Sequence, residues 1–137
     1  VGDSRSLPQF TNNCDRVLLD APCSGLGTLH RHADARWRQT PQAVEELSIL
    51  QTQLLEQTST WVKSGGVLVY STCTLHPQEN QQVIQKFLAK HPQWQIAPPE
   101  SNSTIAAFAT SAGWIEVLPH QHQMDGFFMV RLNKGNG

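Results

Sequence analysis

The sequence predicts an α/β fold, a sheet of parallel strands joined by crossover helices, and three observations predict it. Two short apolar runs, Val17-Leu18-Leu19 and Val67-Leu68-Val69-Tyr70, have the continuous character of strands buried on both faces. Between them lies a long stretch with apolar residues at three- and four-residue steps, as in an amphipathic helix. Strand, long helix, strand, helix, strand is the order from which parallel sheets are built, and in such sheets ligands bind beyond the carboxyl ends of the strands.

The elements follow in order. The first strand runs from Asp15 to Asp20, and Ala21 to Thr28, holding Pro22, Gly25 and Gly27, reads as a loop. A polar, basic stretch with Trp37 embedded in it spans 30–38. The long helix is expected from Pro41 to Val62, capped by Thr40 with Pro41 in its first turn, and ended by Gly65-Gly66. Its apolar face is Val44, Leu47, Leu50, Leu54, Leu55, Thr58, Trp61 and Val62. The second strand covers Val67 to Thr72, with Cys73 just past its carboxyl end. Pro77 opens a second helix with Val83, Ile84, Phe87 and Leu88 on its apolar face, and Lys90, His91 and Pro92 stop it. Short extended segments are expected at Trp94 to Ala97, Ile115 to Leu118 and Phe127 to Leu132, with a helical turn near Ile105 to Ala109. Trp61 and Trp94 are expected in the core.

Composition narrows the class. A chain of 137 residues suffices for one modest domain and not two, and an apolar fraction of 39% permits a packed core. The net charge of −1 and pI near 6.6 argue against a basic nucleic-acid module, so a nucleic-acid partner needs a local basic patch or further parts of a longer protein. Three cysteines, Cys14, Cys23 and Cys73, match neither a disulfide framework nor a zinc knuckle, and a reducing cytoplasmic setting is expected. His76, His120 and His122 lack the carboxylate or thiol spacing of a metal site, and no metal is expected. Neither a signal peptide nor an apolar run near membrane-spanning length occurs. The chain starts at Val1 without an initiator Met and is read as a piece of something larger.

Two segments carry the chemistry: Asp20-Ala21-Pro22-Cys23-Ser24-Gly25, and Ser71-Thr72-Cys73-Thr74-Leu75-His76-Pro77-Gln78-Glu79-Asn80. Adjacent parallel strands would bring Asp20 and Cys73 together. In that order and at that separation the two segments resemble paired cysteine motifs of the Sun/Fmu (NOL1/NOP2/Sun) family of bacterial ribosomal RNA (cytosine-5) methyltransferases. Arg31-His32-Ala33-Asp34 is similar to the family's Arg-His-Pro-Asp segment, departing at Ala33, and Asp125-Gly126-Phe127-Phe128 is similar to its last-strand signature. The resemblance covers nearly the whole chain. It implies the C-terminal half of a Rossmann-like class I S-adenosylmethionine-dependent methyltransferase sheet, incomplete at its N-terminal side, with residues 1–137 forming part of a catalytic domain.

The resemblance also implies roles. Cytosine carbon 5 is a poor nucleophile, and a thiolate adding to carbon 6 raises its electron density so that it can accept a methyl group. The family's second-motif cysteine, here Cys73, attacks; its first-motif cysteine, here Cys23, assists breakdown of the adduct; its first-motif aspartate, here Asp20, lies between cofactor and base. A related class acting on DNA attacks with the Pro-Cys cysteine, so chemistry alone leaves Cys23 as a competing nucleophile. Cys14 reads as a small buried hydrophobe. Asp3 follows Val1-Gly2 as at the end of a truncated strand, where the family's aspartate contacts the cofactor adenine; the plain alternative is a surface carboxylate. Arg31, His32 and Arg36 are candidates for RNA contact, with Trp37 either stacking on a base or packed in the core.

The family's glycine-rich turn, its ribose-binding acidic residue and its N-terminal RNA-binding region do not occur in these residues. Gly25-x-Gly27 is no substitute, because no helix opens directly after it. The chain is expected to hold half a cofactor pocket and to be inactive alone, with the missing N-terminal part of the same protein and ribosomal RNA as partners. A truncated domain that folds or binds RNA without turnover is the rival reading. A thiol redox protein would want Cys-x-x-Cys, which is absent.

Overall fold

The computed structural model describes residues 3–29, 31–34, 37 and 39–137. Its five-stranded sheet comprises β1 (Cys14–Asp20), β2 (Val62–Thr72), β3 (Trp94–Ile96), β4 (Ile115–Val117) and β5 (Phe127–Lys134). Helices α1 (Pro41–Ser59) and α2 (Gln81–Lys90) are its main helices, and a single turn of helix, α3 (Pro119–His122), lies between β4 and β5. The strand order is β1-β2-β5-β3, and β4 also pairs with β5.

The expected parallel arrangement holds for β1 and β2, where α1 provides the crossover and Asp20 lies opposite Ser71. β3, reached from β2 through α2, runs in the same direction, but it does not pair with β2, because β5 lies between them. β5 runs antiparallel to β2, and both β3 and β4 run antiparallel to β5, so the sheet is mixed. The reason is topological: β5 enters between β2 and β3 from the opposite end, after an irregular excursion from β3 that returns without a crossover helix.

Thr40 caps α1 as anticipated, its hydroxyl accepting from the Ala43 N–H at 3.1 Å. The helix stops at Ser59, short of the expected Val62, and Gly65-Gly66 lie inside β2 instead of ending a helix. The β1–β2 register jumps from Cys14–Val62 to Arg16–Val67, so the glycines sit in an irregularity of the strand. Gly65 has φ +77°, and a Cβ on Gly66 would fall 2.8 Å from the Asp15 carbonyl. Likewise α2 starts at Gln81, after Pro77, because the Asn80 side chain is engaged elsewhere. It accepts from Thr72 Oγ1 at 2.6 Å and donates to the Thr74 carbonyl at 2.8 Å.

The core lies between the helices and one face of the sheet: Leu54, Leu55, Val83, Ile84 and Phe87 meet Leu19, Leu68, Tyr70, Phe128, Val130 and Leu132. Trp94 is in this core, as expected, whereas Trp61 is half-buried against Phe10. The opposite face is less covered. β1 was expected to be buried throughout, yet Leu18 is 69% exposed, because this face of β1 carries no helix among the described residues. No helix of the described residues is long and apolar enough to cross a membrane.

Candidate active site

The carboxyl ends of β1 and β2 put the two cysteine motifs side by side. Pairing of the strands continues one residue past β1, where the Ala21 N–H donates to the Ser71 carbonyl at 2.9 Å. The chain then turns through Pro22 and leaves Cys23 beside Cys73, both half-buried, with their Sγ atoms 3.2 Å apart. Burial and the hydrogen bond with Cys73 push the Cys23 thiol up to about 12, against backbone hydrogen bonds from Gly25 and Cys73 that lower it. Cys23 is therefore a thiol at neutral pH, able to donate to the neighbouring sulfur.

Asp20 is exposed at the end of β1 and accepts from Ser71 Oγ at 3.0 Å. The structure thus brings Asp20, Cys23 and Cys73 to one rim. It does not bring Asp3 there. The Asp3 carboxylate caps a short helical turn, accepts from the Arg5 backbone N–H at 2.9 Å and pairs with its guanidinium at 2.6 Å. Those hydrogen bonds hold Asp3 down to about 2. Cys14, half-buried at the other end of β1, takes no part.

A three-way backbone lock holds the motifs in place. The Gly27 N–H donates to the Cys73 carbonyl at 2.9 Å, and the Gly126 N–H donates to the Gly27 carbonyl at 2.6 Å. A Cβ on Gly27 would lie 2.3 Å from the Gly126 carbonyl oxygen and 2.6 Å from that of Cys73. Only a residue without a side chain permits this approach. Asp125, beside Gly126, forms an ion pair with Arg31. The last-strand signature thus clasps the loop after β1, and it draws the first cation of the basic stretch to the same rim. His32 is exposed nearby, and Trp37 is 84% exposed, which excludes the core placement for that ring. Arg36 lies outside the described residues.

Sequence reasoning left four polar residues here without a role. Glu79, Ser24, Thr74 and Gln51 are buried and hydrogen-bonded to one another beneath the cysteines. The signal for Gln51 was present: it interrupts the apolar stripe of α1 between Leu47 and Leu54. For Glu79 it was a carboxylate inside the second cysteine motif.

A broad groove of about 770 Å³ lies elsewhere, where Arg5 and His91 flank α1 near Glu56, and neither cysteine lines it. Its walls are ordinary surface side chains, whereas the rim holds two apposed thiols and a carboxylate. Among the described residues no cluster of three or more His, Cys, Asp or Glu could hold a metal ion.

Comparison with known proteins bears on this site. The family model described as 16S rRNA methyltransferase RsmB/F matches residues 1–133. The chain is 51% identical over 121 residues to "Probable ribosomal RNA small subunit methyltransferase B" of Synechocystis sp., covering 88% of this chain and 27% of that protein. Among solved structures, PH0851 superposes with a TM-score of 0.88 at 36% identity, over 98% of this chain and 30% of that one. NSun6 from Pyrococcus horikoshii with SFG gives 0.80 at 30% identity, over 99% of this chain and 34% of that one. The chain therefore spans about a third or less of these relatives. Its mixed α/β sheet matches part of class I methyltransferase structures.

Proposed function

The chain belongs to the 16S rRNA methyltransferase RsmB/F family, and from that premise we propose that it forms the C-terminal part of the catalytic domain of a ribosomal RNA (cytosine-5) methyltransferase, with Cys73 as the nucleophile. The observation that supports this reading is the 3.2 Å separation of the Cys23 and Cys73 sulfurs at the ends of adjacent parallel strands, with Cys23 held as a thiol.

The Cys73 thiolate adds to cytosine carbon 6, forming a carbon–sulfur bond and raising electron density at carbon 5. S-adenosyl-L-methionine, when bound, supplies the methyl group as an electrophilic sulfonium. Carbon 5 takes that methyl group as a new carbon–carbon bond; its proton then passes to a solvent base, the electrons of the broken C–H bond restore the ring double bond, and the carbon–sulfur bond breaks with its electron pair returning to the Cys73 sulfur. The Cys23 thiol donates to the Cys73 sulfur before attack and assists its departure afterwards. Asp20 stands at the same rim, its carboxyl group placed to stabilise charge that develops on the ring nitrogen. Toward the cofactor this chain offers the exposed Asp20. Asp3, with both carboxylate oxygens engaged by Arg5, is free for an adenine only if that pair opens. Arg31, His32 and Arg36 are assigned to the RNA backbone, with Trp37 presenting a face for stacking. The upstream part of the protein supplies the first strands, the glycine-rich turn and the rest of the RNA surface.

The test uses the full-length protein with cytosine-containing target RNA. Cys73→Ala is expected to abolish methyl transfer without any RNA-linked species. Cys23→Ala is expected to let a covalent RNA–protein species accumulate, visible as a shifted band on a denaturing gel. A linked species that persists in Cys73→Ala and vanishes in Cys23→Ala would reverse the assignment.

A further inference from the structure

The buried carboxylate beneath the cysteines has no place in the chemistry above, and burying a charge is costly unless it is well paired. Glu79 is fully buried and accepts four hydrogen bonds. Its Oε1 accepts from the Ser24 N–H at 2.8 Å and Gln51 Nε2 at 3.1 Å. Its Oε2 accepts from Ser24 Oγ at 2.6 Å and Thr74 Oγ1 at 3.2 Å. Ser24 directly follows Cys23 and Thr74 directly follows Cys73, so one carboxylate binds the chain neighbour of each sulfur. Gln51 extends the cluster to the other side of Cys23, donating to the Pro22 carbonyl at 2.9 Å. Behind them, Tyr70 donates its hydroxyl to the Glu79 carbonyl at 2.7 Å and fixes the backbone of the clamp.

We propose that Glu79 is a positioning residue that holds the two thiols at their working separation by clamping Ser24 and Thr74; this rests on the assignment of Cys73 and Cys23 given above. Sealed from solvent, Glu79 touches no substrate and acts only through its neighbours. Hydrogen bonds to a charged acceptor are the strong ones, and a carboxylate can take all four donors at once. Glutamine in its place keeps the shape: its carbonyl accepts from Ser24 and Gln51, and its amide donates to the two hydroxyls, which rotate to accept. Leucine keeps the volume and leaves the Ser24 N–H, one Gln51 N–H and one of the two hydroxyls without an acceptor, the other hydroxyl donating to its neighbour.

The experiment compares the full-length wild type, Glu79→Gln and Glu79→Leu. Two quantities are read: steady-state methyl transfer per folded molecule, and the rate at which diamide, which takes two electrons and two protons from a thiol pair, yields the linked Cys23–Cys73 peptide. Glu79→Leu is expected to link at least about tenfold more slowly and to lose about 100-fold in kcat with KM little changed, as for a displaced reacting group. Glu79→Gln is expected to recover most of both. Should Glu79→Leu not fold, Ser24→Ala with Thr74→Val removes the two clamped hydroxyls, and the same two losses are expected in smaller measure. A folded variant with wild-type linking and kcat overturns the proposal, as does lost kcat with unchanged linking. If linking slows as expected while the wild type forms no covalent species with RNA, the positioning role stands and the catalytic assignment of the thiols falls.

Discussion

Cys23 and Gly27 show how single residues set the rim. Burial raises the Cys23 thiol from the ordinary value of 9.0 to about 12, so between these limits the unfolded chain has lost a proton that the folded chain keeps. The stability that this contributes is complete below about pH 9 and is lost as pH rises toward 12. Urea unfolding followed against pH should show the decline in the wild type and a shallower one in Cys23→Ala. Gly27→Ala forces a methyl group onto two carbonyl oxygens of neighbouring segments, and the expected cost is about 1–3 kcal/mol, read as a lower urea midpoint. At this scale the meeting of Asp20, Cys23 and Cys73 at one rim was legible from sequence because their motifs are local and sit at the ends of adjacent strands. Gln51 and Glu79 were not, because a buried polar group declares its partner only after distant segments meet.

Elements were legible where periodicity was strong. The stripe of α1, its Thr40 cap and the stop of α2 after Lys90 all followed from spacing and end signals. Thr40→Ala should cost about 1 kcal/mol in thermal or urea unfolding, through loss of the bond to the Ala43 N–H. Leu55, fully buried between α1 and the sheet, should cost about 2–5 kcal/mol when cut to Ala. Direction and continuity were less legible. A glycine pair reads equally as a helix stop or as a strand irregularity, and the close approach of the Asp15 carbonyl to Gly66 decided for the strand. The antiparallel course of β5 has no local signature, since strand pattern encodes which face is buried and not which way the chain runs.

At the scale of the molecule, β1 has β2 as its one strand partner among the described residues, and Leu18 on its bare face is 69% exposed. An uncovered apolar strand at a sheet edge is a pairing surface, and in our reading the upstream strands of the same protein meet it there. Titration calorimetry of the isolated chain with S-adenosylmethionine should therefore detect weak binding or none; micromolar affinity would contradict a divided cofactor pocket. The family was legible from two motifs because they are short and chemically constrained. The central claim is that the Cys73 sulfur bonds to the pyrimidine, and it is tested most directly by trapping the full-length protein on target RNA carrying 5-fluorocytosine at the modified position. After digestion, mass spectrometry should find the nucleotide on the peptide containing Cys73. Its recovery on the peptide containing Cys23 would contradict the account.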